Sequence, residues 1–561
     1  MIPIRVMLRQ CLKHANEWKL AESSGKELTG RQVLINSFVL RNYFRRAVLS
    51  KTEKFVGVML PASLAGTLTN VALTLDKRVA VNLNFTVSEK IMNACIQKTG
   101  ITHILTSRRL LSKLNYEKLD AEIVIMEDVV KKISLSDKLF GAALAYMPVW
   151  AIEKTLGLTS IKDDDLLTII FTSGSTGVPK GVMLSHNNLY SDFMGFIDMQ
   201  NMNTDKSILM GMLPLFHSMG YSYNIWSTLC TNFRTAYHYS PLETGEIARM
   251  VKKYKCSVIA GAPTFFRTYI RKIAAEDFAT ITTPLVGAER MPEEVKNAYE
   301  AKFGVRPLEA FGCTECAPVV TGNFLPYGNV PDGLPRVKAG SIGIALPGVT
   351  VEIRDVDTNQ PVAPNTVGMM WTKGPNVMLG YYNEPEKTAE VLVDGWYKTG
   401  DLARMDEQGF VFITGRLSRF SKIGGEMVPH EGIERAISEI IDCKPDDPLC
   451  LTVTSVSDEK KGEKIIVLYS DLKGFQPGDI IKEMRNREMP PIWIPSTDAF
   501  RQVDSIPILG TGKLDIQGSK RLARDITDPL LSKNQPVEPI TASVEQAESP
   551  ESVSIPAPAK V

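Results

Sequence analysis

The sequence predicts an α/β fold: a large N-terminal domain of doubly wound α/β subdomains with a small β subdomain, then a smaller α+β C-terminal domain. Three observations predict it. Apolar strand-like runs alternate with amphipathic stretches from about residue 30 to 410, the pattern of a parallel sheet with helical crossovers. From about 340 the texture changes to short alternating strands between Gly/Pro turns, "GSIGIALPGVTVEIRD", "GMMWTKG" and "GFVFITG". After Gly415 a further unit of roughly 110 residues has strands and helices of its own. The expected boundaries are 1–415, 416–528, and a tail 529–561 too rich in Pro, Ser, Ala and Glu to bury a core, hence disordered.

In chain order, "MIPIRVMLRQCLKHANEW" lacks the apolar stretch of a signal peptide. "KFVGVMLP" (54–61), "THILTS" (102–107), "CSVIAGAP" (256–263) and "TTPLVGAE" (282–289) read as core strands. "KLFGAALAYMPVWAIEK", Lys138 to Lys154, is apolar but shorter than the about 20 residues a bilayer demands. Two readings stand side by side: an interfacial segment with Tyr146 and Trp150 at headgroup depth, or a buried helix interrupted at Pro148. A peripheral membrane contact through 138–154 is therefore one of two expectations.

"TIIFTSGSTGVPKGVMLSH", Thr168 to His186, runs a core strand into a loop of hydroxyls and glycines. Gly174 and Gly177 permit backbone angles closed to other residues, so main-chain N–H groups can turn inward. The hydroxyls of Thr172, Ser173, Ser175 and Thr176 add donors, and Lys180 adds a charge. Such a loop suits an anion of several oxygens, most simply a polyphosphate; a plain polar hairpin is the bland alternative. It does not fit G-x-x-x-x-G-K-[ST], so it is not a Walker-type loop.

Composition narrows the function classes. The chain has 561 residues, more than one compact domain holds, and a net charge of +1, which offers no basic surplus for nucleic acid. Eight cysteines form no paired framework, so a reducing, cytoplasmic setting is expected, with a place on the inner face of the membrane left open. Cys313 and Cys316 form a C-x-x-C with no second pair at zinc spacing.

Further stretches give the loop its context: "PLFHSMG" with His217, "FGCTECAP" with Phe311, Gly312, Thr314 and Glu315, "YKTGDLA" with Asp401, "GRLSRFSKIGGE" with Arg416 and Lys422, and "PILGTGKLD" with Lys513. In this order and spacing they resemble the acyl-activating, adenylate-forming (AMP-binding) superfamily over roughly 30–528. The resemblance implies ATP and Mg²⁺ as cofactors and a carboxylic acid activated as acyl-AMP. Thr172 to Gly177 and Lys180 would hold the β- and γ-phosphates, Glu315 with Thr176 the metal, and Thr314 the α-phosphate. Gly287-Ala288-Glu289 would lie along the adenine edge, with Phe311 as the stacking aromatic before Gly312. Asp401 would accept from the ribose hydroxyls, and Arg416 and Lys422 would complete the nucleotide site. Lys513 would bridge carboxylate and α-phosphate oxygens, and His217 would shape the carboxylate pocket. Domain rotation would then bring Gly424 and Gly425 to a pantetheine path. Two departures fall at the hinge, where the family usually has Asp or Lys followed by Asp: here stand Ser418 and Arg419.

Several of these stretches look most like the synthetase half of the bacterial bifunctional 2-acylglycerophosphoethanolamine acyltransferase/acyl-ACP synthetase. That implies a long-chain fatty acid and acyl carrier protein, with CoA as the alternative acceptor and a peptide-synthetase-type adenylation domain as a further one. None of His14, His103, His186, His217, His238 or His430 has an Asp five residues on, so no acyltransferase pair of that kind is expected. Residues 416–528 carry 17 Lys/Arg against 19 Asp/Glu, so bulk charge does not favour an acidic carrier protein. The cluster Lys520, Arg521 and Arg524 is the one local feature that does.

Overall fold

The computed structural model describes residues 1–172, 179–287, 289–423, 426–443, 449–458, 462–508 and 514–527. Ser173, Gly174, Ser175, Thr176, Gly177, Ala288, Gly424, Gly425, Lys513 and the tail from 528 lie outside the described residues.

All four core-strand readings hold: the chain is extended at Phe55–Met59, His103–Thr106, Val258–Gly261 and Thr283–Val286. The first two belong to a seven-stranded sheet and the last two to a nine-stranded sheet. Both sheets are parallel at their centres and change to antiparallel at an edge. The helix Leu64–Leu75 has eleven of its residues buried and touches strands of both sheets, the position that an all-round apolar helix must take. A third sheet, antiparallel, is built from Thr350–Arg354, Gly368–Lys373, Leu392–Val393, Trp396–Met405 and Val411–Arg416. This is the small β unit foreseen in the sequence.

A fourth sheet, with the helices His430–Ile440, Pro477–Asn486 and Ile516–Thr527, forms the C-terminal unit. Its first strand, Phe420–Ile423, follows Arg416 after only a single 3₁₀ turn, Leu417–Arg419. Both ends of that turn are held. Arg416 Nε donates to Asp401 Oδ1 at 2.9 Å, and Arg419 is buried with its guanidinium paired to Glu434. Gly415 lets the Phe420 ring lie against the backbone, since a Cβ there would come within 2.6 Å of it. The two units also share apolar contact: Leu417, Phe420 and Met427 pack with Trp371, Leu402 and Trp396.

The segment 138–154 takes parts of both readings. It forms two helices, Leu135–Ala145 and Val149–Leu156, broken at Pro148, with one face buried and the other in solvent.

Two histidines begin helices inside the core, His186 and His430. Burial holds their pKa values down to about 4 and about 3. The folded protein keeps both neutral, whereas the unfolded chain takes up protons below about pH 6.5. Stability is therefore lost as pH falls from 6.5 toward 4, by an order of 2 kcal/mol per histidine at pH 5. Thermal unfolding compared at pH 7.5 and pH 5 should show this drop, and His430→Gln should shrink it. An undiminished drop in that variant would assign the loss to other groups.

Candidate active site

The strands Leu166–Thr172 and Lys180–Ser185 pair antiparallel, with Thr172 opposite Lys180. The two described ends of the glycine- and hydroxyl-rich loop thus face one another at the mouth of a hairpin. The exit is pinned: Lys98 Nζ donates to Pro179 O at 3.2 Å and pairs with Glu384 at 2.5 Å. Beside the second strand lies the short strand Gly380–Tyr381, with Tyr381 in register with Val182. This brings the Lys180 ammonium to 4.8 Å from the centre of the Tyr381 ring.

Tyr381 leads directly to Glu315, its hydroxyl donating to Glu315 Oε1 at 2.9 Å. Burial and the Glu315 charge push the Tyr381 phenol up, so it stays a donor. Glu315 and Thr314 sit on a 3₁₀ turn, Thr314–Cys316, which follows the strand Leu308–Gly312 carrying Phe311. Gly312 is needed there because a Cβ would lie 2.1 Å from Pro318 O. The turn is tied from several sides. Met378 N donates to Glu315 O at 2.8 Å, Asn376 Nδ2 to Cys316 O at 3.0 Å and Val319 O at 2.8 Å, and Ser222 Oγ to Ala317 O at 2.8 Å. Val319 N donates to the buried Asp192 Oδ1 at 2.7 Å.

Asp401 lies in the strand Trp396–Met405, in register with Arg416. Its side chain is 4% exposed; among the described residues only Arg416 answers it, at Oδ1, and Oδ2 is buried with no hydrogen-bond partner. Burial raises the Asp401 pKa, while the Arg416 charge opposes that rise. The Cys313 thiol is pushed well up by its Cys316 neighbour, by burial, and by Glu315 and Asp401 nearby. Lys180, Tyr381 and Glu315 thus form one chain of contacts, and Asp401 with Arg416 forms a pair whose charge is felt at Cys313.

The remaining candidates divide. Gly287 follows the strand Thr283–Val286, its N–H 3.3 Å from Gly261 O, and Glu289 is exposed just after it. His217 lies exposed on the turn before the π-helical stretch Gly220–Ser227, its ring 4.8 Å from that of Phe216, which meets Phe85 edge-on. The Lys422 ammonium lies 2.8 Å from Asp357 Oδ2, on a turn of the small β unit. Ser418 is exposed in the turn between the units.

Sequence reasoning missed Tyr381, Asp192, Asn376 and Ser222. For Asp192 a signal existed: it falls on the apolar stripe Leu189, Phe193, Phe196 of one helix, where an acid needs a buried partner. Tyr381→Phe should leave the fold intact and slow adenylate formation at least about tenfold, the value of one hydrogen bond to a charged, half-buried carboxylate. It should also raise the Mg²⁺ concentration needed; an unchanged Mg²⁺ titration would separate Tyr381 from the role given to Glu315.

A buried acceptor oxygen with no partner among the described residues fits a hydroxyl donor such as a ribose. Glu315 supplies a hard oxygen ligand of the kind Mg²⁺ takes, next to a loop suited to phosphate. A family model described as "AMP-binding enzyme" matches residues 7–382. The long-chain-fatty-acid–CoA ligase of Bacillus subtilis (strain 168) is 26% identical over 87% of this chain and 89% of its own. That of Yersinia pestis is 28% identical over 74% and 72%. Among solved structures, ATP-bound MatB from Rhodopseudomonas palustris superposes with a TM-score of 0.74 at 22% identity, over 94% of this chain and all of the other. The o-succinylbenzoate coenzyme A synthetase of Bacillus subtilis, with ATP and magnesium, gives 0.73 at 19% over 92% and 99%. These two likenesses establish the fold.

Proposed function

The chain belongs to the AMP-binding enzyme family, and from that premise we propose that it is an ATP-dependent acid–thiol ligase that activates a long-chain fatty acid as acyl-AMP. The observation that carries this reading is the buried Asp401, with one oxygen unpaired among the described residues, together with the Lys180–Tyr381–Glu315 chain of contacts. The acid's carboxylate attacks the α-phosphorus of ATP, pyrophosphate leaves, and a thiol then displaces AMP from the acyl carbon. All reactants are anions, so the chain must hold like charges together before proximity helps. Lys180 and the loop donors hold the outer phosphates, Thr314 the α-phosphate, and Asp401 the ribose, while the Arg416 charge opposes the rise that burial imposes on Asp401. Mg²⁺, when bound, would be held by Glu315 with Thr176 and would disperse phosphate charge. Lys513 supplies the cation for the reacting oxygens.

The long-chain acid and CoA as acceptor draw support from the names of the Bacillus and Yersinia relatives. Acyl carrier protein is the second reading. What favours it is the helix Ile516–Thr527, which exposes Arg521 and Arg524 beside Lys520, a cationic face for an acidic carrier. The test is pyrophosphate release over a panel of acids, then trapping of the acyl group with CoA or holo-carrier protein. Release driven by no long-chain acid would overturn the substrate assignment. Transfer to the carrier alone would displace CoA.

A further inference from the structure

The described residues expose sixteen large apolar side chains, and six of them fall between residues 130 and 150: Val130, Leu135, Leu139, Tyr146, Met147 and Trp150. The helix Leu135–Ala145 is apolar on two sides. Its inner side, with Gly141, Leu144 and Ala145, packs on the helix Gly30–Ala47, so closely that a Cβ at 141 would meet Val39 at 2.5 Å. Its outer side presents Leu135, Leu139, Ala143 and Tyr146 at spacings of four, four and three, one continuous stripe in solvent. Trp150, 69% exposed, extends this stripe beyond Pro148. No helix among the described residues is long and apolar enough to cross a membrane.

The charges are sorted to match. Both acids of 130–155 are turned inward and paired: Asp137 with Arg46 at 2.8 Å, and Glu153 with Arg5 at 2.9 Å and Arg9 at 3.1 Å. The exposed charges of the same stretch are Lys131, Lys132, Lys138 and Lys154. Arg31 stands 4.2 Å over the Tyr146 ring and donates to Ala145 O at 2.7 Å, fixing the aromatic at the rim.

We propose that this face, from Val130 to Lys154, docks the protein on an anionic lipid bilayer. The apolar stripe and Trp150 enter the headgroup–acyl boundary, and the lysines meet lipid phosphates. A second copy fits less well, because two-fold pairing of the face would set its lysines against their own copies. The inference does not depend on which acid or thiol the catalytic site takes.

Co-sedimentation of the full chain with phosphatidylcholine vesicles, with and without phosphatidylglycerol, tests it. Binding is expected to the anionic vesicles and to weaken with salt. Leu139→Ser and Trp150→Ser should each weaken it about fivefold or more, and neutralising Lys131 or Lys132 with Gln about fivefold at low salt. Thermal unfolding and pyrophosphate release should stay at wild-type levels in these variants. Should the serine variants misfold, the wild type still decides: brominated lipid should quench tryptophan fluorescence, and Trp150→Phe should remove that quenching. No binding to anionic vesicles at low salt would overturn the proposal. So would variants that bind like wild type, or a dimer that the serine substitutions break.

Discussion

Lys513→Ala should slow formation of acyl-adenylate by about 10²–10³-fold, the usual cost of removing one preorganised charge from a transition state. It should leave thioester formation from supplied acyl-adenylate nearly unchanged. Lys513 directly precedes Leu514, which pairs with Ile508 in the C-terminal unit. In the group around Asp401 the nearest cations already have tasks: Arg416 answers Asp401, and Lys180 lies over Tyr381. A carboxylate approaching a phosphate needs another positive charge, and under the proposed rotation of the C-terminal unit Lys513 would supply it for one step only. Single-turnover pyrophosphate release and transfer from synthetic acyl-adenylate measure the two steps apart. Equal losses in both would mean that the lysine supports the fold or both conformers, and the rotation reading would fail.

Ser418→Pro is expected to spare adenylation and to slow thioester formation at least about tenfold, ~1.4 kcal/mol in barrier. Between Arg416, tied to Asp401, and Arg419, buried against Glu434, only Leu417 and Ser418 can absorb a rotation of one unit against the other. Proline fixes φ at 418 and restricts the backbone of residue 417 as well, so it acts on both members of this pivot. Ser418 is exposed, so the substitution removes no packing. Ser418→Asp should be mild by comparison. Normal thioester transfer in the proline variant would move the pivot elsewhere.

What could be read of the candidate site is what is linear. The strand that runs into Thr172 and the turn bearing Thr314 and Glu315 each depend on residues at consecutive positions, and such requirements are written along the chain. Strand runs such as 54–61 and 282–289 were equally plain, since burial on both faces demands continuous apolar residues. The break at Pro148 followed from the missing N–H.

Pairings made across the fold were not legible. Nothing near Asp401 in sequence announces Arg416; a β-ladder sets them side by side. Tyr381 reaches Glu315 only because a two-residue strand adds to the edge of the seven-stranded sheet. Nor does the sequence announce the partners of Lys422 and Arg419: tertiary structure sets one beside Asp357 and the other in a buried pair with Glu434. Residues 138–154 show the division most clearly. Their sequence determined that they form apolar helical segments too short to span a bilayer, because composition and length decide that. Only the packing against Gly30–Ala47 decided which apolar side is core and which faces water, and it drew both acids inward to arginines on other helices. A sequence records how apolar each residue is, whereas the side it presents depends on partners distant along the chain.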